Sequence, residues 1–243
     1  MSQSNSNRIK DFFAVHSRDI TPAPIRHAAN ILYAPVSNEA EITRCCESVL
    51  SKTERQRAER FITPDDRRLF LQRRAFRRFC GSRSLGSLQS LSQDIFEETE
   101  NGRPYLTDQP EVSFSFSSCR SGILGAWSPR YGIGVDIEDC TRNPGANELA
   151  RRYFSVAEAS SIEGHDGREN QRSFFQLWSL KEAALKSIGE GMPYGLSAFE
   201  FELEPNLRVV HAPADHGGAE NFSAHLIEET ENSIAIILGN RLI

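Results

Sequence analysis

The feature that most constrains the fold is an order of elements that occurs twice along the chain. In the first half, a long arginine-rich helix at 67–80 is expected to precede two strands, 112–118 and 122–127. In the second half, a long helix at 171–188 precedes another strand pair between 222 and 238. Each long helix follows shorter ones. A repeat after roughly a hundred residues predicts an α+β fold of two similar lobes in a pseudo-twofold arrangement, with a site between them.

The chain therefore divides into three predicted parts. Its 243 residues fit one large domain or two small ones. Residues 1–18 are polar and lack the apolar run of a secretion signal, so we expect a flexible N-terminal tail. The remainder splits into an N-terminal lobe, 19–129, and a C-terminal lobe, 130–243.

Capping signals set the predicted helix ends. Two short helices are expected at 39–50 and 51–60, the second with Thr53 as its N-cap. Gly81 is expected to end the long arginine-rich helix, because glycine is a poor helix former. The second long helix is expected to begin at about Gln171.

Cysteine usage and hydropathy bound the location of the protein. The five cysteines are an odd number with no CxxC pair, which argues against a disulfide framework and a zinc ribbon. No run approaches the ~18 uncharged apolar residues that a membrane span needs. We expect a cytoplasmic protein that does not insert into a membrane.

The net charge of −5 hides a basic segment. Between Lys52 and Arg83 there are eleven basic and four acidic residues, and the basic ones are nearly all arginine. Arginine forms paired hydrogen bonds with phosphate oxygens. The segment indicates a phosphate-bearing ligand or an acidic partner, with a solvated helix face as the simpler alternative.

Two carboxylates share one face of a predicted strand at 131–139. Because side chains alternate along a strand, Asp136 and Glu138 lie on the face opposite an apolar row, and Gly134 lies beside them. Neighbouring carboxylates repel unless a cation lies between them, and hard oxygen ligands suit Mg²⁺. The alternative is an edge strand with solvated acids.

A second cluster lies in the helix after this strand. Glu182 and Lys186 are four residues apart and share a helix face, as an ordinary surface ion pair would. However, Lys181 and Lys186 are two of only four lysines in the chain. This concentration indicates a local need for a mobile point charge.

Together the two segments resemble the motifs of the phosphopantetheinyl transferase superfamily, of the surfactin-synthetase-activating, two-lobed type. Ile133–Glu138 fits (I/V)G(I/V)D(I/L)E, and Trp178–Lys186 fits W-S/T-x-K-E-A/S-x-x-K. The segment 151–159 is similar to the family's RxFxxxE stretch. The resemblance covers about residues 45–240 and implies the two-lobed fold of that family.

The resemblance also implies an activity. The family moves the 4′-phosphopantetheine arm of coenzyme A onto a serine of an acyl, peptidyl or aryl carrier protein, needs Mg²⁺ and releases adenosine 3′,5′-bisphosphate. By position, the implied metal ligands are Asp136, Glu138 and Glu182. Glu182 is also the implied general base, and Lys186 the cation that stabilises the pyrophosphate or protonates the leaving group.

Further positions are implied to contact coenzyme A. They are Arg73, Arg77, Arg103, Ser117, Ser118, Lys181 and Lys186. The family's R-x-x-x-R pattern matches Arg73 and Arg77, with Arg74 and Arg78 as the alternative register. The other arginines are expected to attract an acidic carrier protein.

One position departs from the family pattern. Where the family usually has a histidine that touches the 3′-phosphate of coenzyme A, this chain has Ser118. A serine donates one hydrogen bond but carries no charge. The departure leaves a second interpretation open, a relative that binds coenzyme A or another pyrophosphate without transferring the arm.

A third interpretation, an arginine-rich nucleic-acid-binding module, is disfavoured because few aromatic residues interleave with the arginines. We expect no nucleic-acid partner. We also expect a monomer, since two lobes suffice to enclose a site.

Overall fold

The computed structural model describes residues 2–86, 91, 95–143, 145–164, 166–229 and 231–240. The α-helices are α1 (Ser2–His16), α2 (Ala40–Ser48), α3 (Lys52–Ala58), α4 (Pro64–Ser84), α5 (Ala146–Tyr153), α6 (Val156–Glu163) and α7 (Gly167–Ile188). The strands are β1 (Arg18–Asp19), β2 (Asn30–Pro35), β3 (Phe96–Glu98), β4 (Pro104–Leu106), β5 (Ser113–Ser118), β6 (Gly122–Ser128), β7 (Tyr131–Asp139), β8 (Glu200–Glu202), β9 (Arg208–His211), β10 (Phe222–Glu228) and β11 (Asn232–Asn240).

The two halves of the chain have the same connectivity. Each runs through a strand, two short helices, a long helix, a small hairpin and a final strand pair. In each half the first strand pairs with the last: the sheet orders are β2-β6-β5, extended by β1, and β7-β11-β10. The predicted α+β fold with two similar lobes is confirmed. The division at residue 129 stays a prediction; β6 ends at Ser128 and β7 begins at Tyr131.

The sheets of the two halves share a core. Ile31 and Leu124 from one sheet pack in the same buried cluster as Val135 and Ile236 from the other. The long helices cover the outer faces, α4 over β6 and α7 over β7 and β11. The alternating apolar rows of the strands are thereby buried between the sheets, as period-two patterning requires.

The expected flexible tail is instead helical. Helix α1 buries Ile9 and Phe13 completely, and the Phe13 ring packs against Phe76 and Phe79 of α4. Two apolar side chains four residues apart share one helix face, and burial of that face holds the helix to the lobe. Because the segment is mostly polar, its two buried apolar residues, Ile9 and Phe13, did not suggest a packed helix.

Three predicted helix ends differ from the structure. The N-cap of α3 is Ser51, whose hydroxyl accepts from the Glu54 amide, rather than Thr53. Helix α4 continues through Gly81 to Ser84. The glycine at position 81 serves packing, because a side chain there would collide with Ile95 and Phe96. Helix α7 begins at Gly167, four residues before the expected start.

The strand predictions in both halves are confirmed at β5, β6, β7, β10 and β11. Strand β8 lies within the strand that the sequence predicts at Phe199–Leu203. Strands β1, β2 and β9 and the hairpin β3–β4 were not predicted, and β2 pairs with β6 in the N-terminal sheet. Among the described residues, no helix has the length and hydropathy that crossing a membrane requires.

Candidate active site

Close contact between α7 and β7 builds the candidate site. A Cβ atom placed on Gly134 would lie 1.8 Å from the carbonyl oxygen of Ala183, so the strand and helix backbones touch. Only glycine permits this approach. Glu182 and Lys186 each immediately precede a contacting residue, Ala183 or Ser187, and the contact brings them over the carboxylate face of β7.

Asp136 is the most enclosed carboxylate of the site, with 4% of its surface exposed. Its Oδ1 accepts hydrogen bonds from Lys186 Nζ at 2.6 Å and from Ser117 Oγ at 2.7 Å. Its Oδ2 is buried and has no hydrogen-bond partner within the described part of the chain. A buried, unpaired carboxylate oxygen is costly, so this atom is suited to a ligand that the protein itself does not provide.

The other two carboxylates are held in a low-dielectric setting. Burial and the charge of Asp136 raise the pKa of Glu138 to about 7, against the opposing charge of Arg142, with which it forms a salt bridge. Burial also raises the pKa of Glu182, with Lys186 opposing the shift and Asp136 adding to it. Glu138 and Glu182 thus both lie close enough to Asp136 for its charge to raise their pKa, as neighbouring ligands of one cation would.

The donor set fits a hard divalent cation, but the ligands are not assembled. No three His, Cys, Asp or Glu side chains in the described ranges converge closely enough to hold a metal ion. Lys186 pairs with Asp136 and Arg142 with Glu138, so the local positive charges come from side chains. The unpaired Oδ2 and three hard carboxylates match the preference of Mg²⁺ for oxygen ligands.

A row of serines joins the two lobes beside this site. Ser113 and Ser115 on β5 accept hydrogen bonds from the backbone amides of Ile133 and Val135 at 3.1 and 3.0 Å. Strands β5 and β7 belong to different sheets, so these hydroxyls replace a backbone ladder. Ser117 continues the row and bonds to Asp136. The predicted contact of Ser117 with coenzyme A stays a prediction, while the structure gives its hydroxyl this second task.

A cleft of about 240 Å³ opens beside the row. Arg103, Phe116, Glu182 and Lys186 are among its lining residues. Arg103 donates to Ser113 and packs over Gly189, at the end of α7. Residues from both lobes therefore meet here. Ser118 shares a face of β5 with Phe114 and Phe116, and both phenylalanines line the cleft.

The four candidate arginines of α4 differ in burial and in their acidic partners. Arg78 is 1% exposed and binds Glu54 through two hydrogen bonds, and Arg74 pairs with both Glu54 and Glu98. Arg77 binds Glu98 at 2.7 Å. Arg73 is half-buried, and its pKa is lowered by burial and by the neighbouring charges of other arginines. Arg77 is itself only 8% exposed, so the register of Arg73 and Arg77 against Arg74 and Arg78 stays a prediction.

The predicted contact of Lys181 with coenzyme A is wrong. Its side chain is completely buried on the far side of α7, where Nζ lies 2.7 Å from Glu158 Oε2. Both lysines of the motif were expected to contact coenzyme A, but residues five positions apart on a helix do not share a face. No role was predicted for Glu158, although it is the glutamate of the RxFxxxE-like segment and lies three residues after Ser155.

Comparison with known proteins identifies the family. The profile of the 4′-phosphopantetheinyl transferase superfamily matches residues 132–237. The 4′-phosphopantetheinyl transferase Sfp of Bacillus subtilis is 30% identical over 178 residues, which cover 69% of this chain and 78% of Sfp. The chain belongs to the 4′-phosphopantetheinyl transferase superfamily.

Two further proteins are similar to this chain over shorter stretches of one or both sequences. A relative from Synechocystis sp. is 34% identical over 153 residues, 62% of this chain and 61% of the relative's own length. A crystal structure of a holo-(acyl-carrier-protein) synthase from Bacillus anthracis aligns over 46% of this chain and 97% of the synthase. The two chains are 15% identical, with a TM-score of 0.37.

Proposed function

We propose that this protein transfers the 4′-phosphopantetheine arm of coenzyme A to a serine of an apo carrier protein. The observation that carries the proposal is that Glu182 and Lys186 line a cleft with Arg103 of the other lobe, while Lys186 also binds Asp136. Carboxylates and cations from two lobes at one cleft suit a substrate with several phosphates and a hydroxyl acceptor. Family membership supports the same reaction.

Each charged group has a distinct task in this proposal. Arg73, Arg77 and Arg103 bind phosphate oxygens of coenzyme A, since guanidinium groups match their geometry. Lys186 neutralises charge on the pyrophosphate. Glu182, whose pKa is raised by burial, accepts the proton of the carrier serine.

The bond changes follow from this arrangement. The serine oxygen forms a bond to the phosphorus that carries pantetheine, and the bond from that phosphorus to the bridging oxygen breaks. Adenosine 3′,5′-bisphosphate leaves with the bridging oxygen and its electron pair. The serine proton passes to Glu182.

Asp136, Glu138 and Glu182 are the residues that would hold Mg²⁺. The bound ion would neutralise charge on the pyrophosphate oxygens and orient them for in-line attack. Asp136 Oδ2 is the ligand atom already free of competing hydrogen bonds in the described structure.

The second candidate is binding of coenzyme A without transfer, which the serine at position 118 favours. Incubation with coenzyme A, Mg²⁺ and a panel of apo carrier proteins separates the two candidates by intact mass. A mass gain of one phosphopantetheine arm on a carrier supports transfer. Coenzyme A binding in calorimetry without any gain supports the second candidate, and salt-sensitive nucleic-acid binding alone would refute both.

Asp136→Ala tests the site within the same assay. We expect loss of Mg²⁺-dependent transfer with an unchanged fold by circular dichroism. Asp139→Ala is the matched control, because Asp139 is an acid of the same strand on the other face. Near-normal transfer by Asp136→Ala would refute the proposed metal ligand.

A further inference from the structure

The same capping arrangement occurs at the second short helix of each lobe. In α3, the Ser51 hydroxyl accepts from the Glu54 amide at 3.2 Å, and the Glu54 carboxylate accepts from the Ser51 amide at 2.9 Å. In α6, Ser155 and Glu158 form the same two hydrogen bonds at 3.2 and 2.9 Å. This is a reciprocal capping box in both lobes.

Each capping glutamate also binds a buried cation of the long helix that follows. Glu54 Oε2 lies 2.6 Å from Arg78 Nη2, and Glu158 Oε2 lies 2.7 Å from Lys181 Nζ. Arg78 is 1% exposed and Lys181 is 0% exposed. A capping box does not need a buried cation. The presence of such an ion pair at the equivalent position of both lobes therefore indicates a function beyond capping.

The pair in the C-terminal lobe connects more of the chain. Lys181 Nζ also donates to the carbonyl oxygens of Leu196, at 3.1 Å, and Phe199. Glu158 Oε1 accepts from the Phe201 amide at 2.9 Å. The three N–H groups of the ammonium thus have three acceptors, and the pair ties α6 and α7 to the chain segment 196–201. That segment follows Gly189, Glu190 and Gly191 of the cleft wall.

The buried cations lie next to the residues proposed to act on substrate. Lys181 precedes Glu182, and Arg78 follows Arg77. Consecutive helix residues point about 100° apart, so a cation fixed on the inner side sets the direction of its neighbour. The N-terminal pair would fix the rotation of the helix that carries Arg73 and Arg77, and the C-terminal pair that of Glu182 and Lys186.

We propose that Glu54 and Glu158 are positioning residues that fix the rotation of the two long helices through Arg78 and Lys181. The proposal rests on the proposed function for its kinetic consequences. Glu54 supports the coenzyme A phosphate contacts, and Glu158 supports the base and the cation of the transfer step. Lys181 serves the site by position and does not touch substrate.

Kinetic comparison of Glu54→Gln and Glu158→Gln tests this division. Glutamine keeps the size of the side chain and an oxygen acceptor but removes the charge. We expect Glu54→Gln to raise the KM for coenzyme A about tenfold with kcat within about twofold of wild type. We expect Glu158→Gln to lower kcat about 10- to 100-fold with little change in KM, as a small misplacement of catalytic groups does.

Ser51→Ala and Ser155→Ala are the matched controls. Each removes the capping hydroxyl and leaves the ion pair, so both should stay within about twofold of wild type in both parameters. Lys181→Arg keeps the charge; it should behave like Glu158→Gln, because a guanidinium does not fit three acceptors arranged around an ammonium. Wild-type activity of Lys181→Arg combined with a silent Glu158→Gln would overturn the proposal, as would a shift of the same parameter by both glutamine variants.

Hydrogen exchange of the full-length protein gives a readout that does not depend on transfer. Exchange of peptides from 189–201 should rise in Glu158→Gln and not in Glu54→Gln. If wild type transfers nothing, the proposed function fails, yet unchanged exchange in Glu158→Gln would separately refute the positioning role. If Glu158→Gln does not fold, Glu158→Gln combined with Lys181→Met, which leaves no buried charge, replaces it in every measurement.

Discussion

Replacement of Gly134 by alanine tests the contact on which the whole site depends. The added methyl group would lie 1.8 Å from the Ala183 carbonyl oxygen and 2.7 Å from the Ser187 amide nitrogen, whereas ordinary contact begins at 3.4 Å. Both obstacles are backbone atoms, which cannot rotate away. Helix α7 must therefore move away from β7 by roughly 1.5 Å, and a close-packed interior has no empty space to accept such a movement without strain.

Two effects of different size follow from this displacement. Overpacking costs about 1–3 kcal/mol of unfolding free energy, which a urea titration measures as a lower midpoint. Glu182 and Lys186 move with the helix while Asp136 stays on the strand, so the 2.6 Å contact between Lys186 and Asp136 breaks. Misplacement by about 1 Å is enough to reduce transfer ~100-fold.

Gly191→Ala provides the control for this experiment. Gly191 also lines the cleft, but its added methyl group would meet only Pro193, at 3.6 Å. It should retain stability and transfer. Wild-type stability and activity of Gly134→Ala would refute the inference that direct backbone contact between α7 and β7 positions the site.

Three further outcomes can be measured on the same protein. Arg73→Ala and Arg77→Ala should raise the KM for coenzyme A more than they lower kcat, and an equal loss in both would instead indicate a transition-state role. Ser118→His should tighten coenzyme A binding by about 1 kcal/mol while leaving 3′-dephospho-coenzyme A unaffected; equal effects on both ligands in calorimetry would place residue 118 away from the 3′-phosphate. Burial raises the pKa of Glu54, but the hydrogen bond and charge of Arg78 outweigh it and the net shift is downward. The stability from this pair is thus present above pH ~4 and lost as pH falls through the lower folded pKa, so Glu54→Gln should lose less stability on acidification than wild type.

Local patterns in the sequence determined much of the fold and the active-site strand. Alternation placed Asp136 and Glu138 opposite the apolar row of β7, and this followed from the two-residue period of a strand alone. The repeated element order likewise predicted two similar lobes. Both conclusions depend on neighbours along the chain, where spacing fixes which side chains share a face.

Only the tertiary structure decided which charged residues reach the cleft. Lys181 and Lys186 look equivalent in the motif, but Lys181 is buried in a salt bridge with Glu158 and Lys186 binds Asp136. Arg77 and Arg78 are adjacent, yet Arg77 binds Glu98 and Arg78 binds Glu54. The partners of these cations lie more than twenty residues away, and the charge of a side chain does not reveal its partner. The packing of the helices on their sheets determines which partner each cation has, because a charge is buried at tolerable cost only beside an opposite charge.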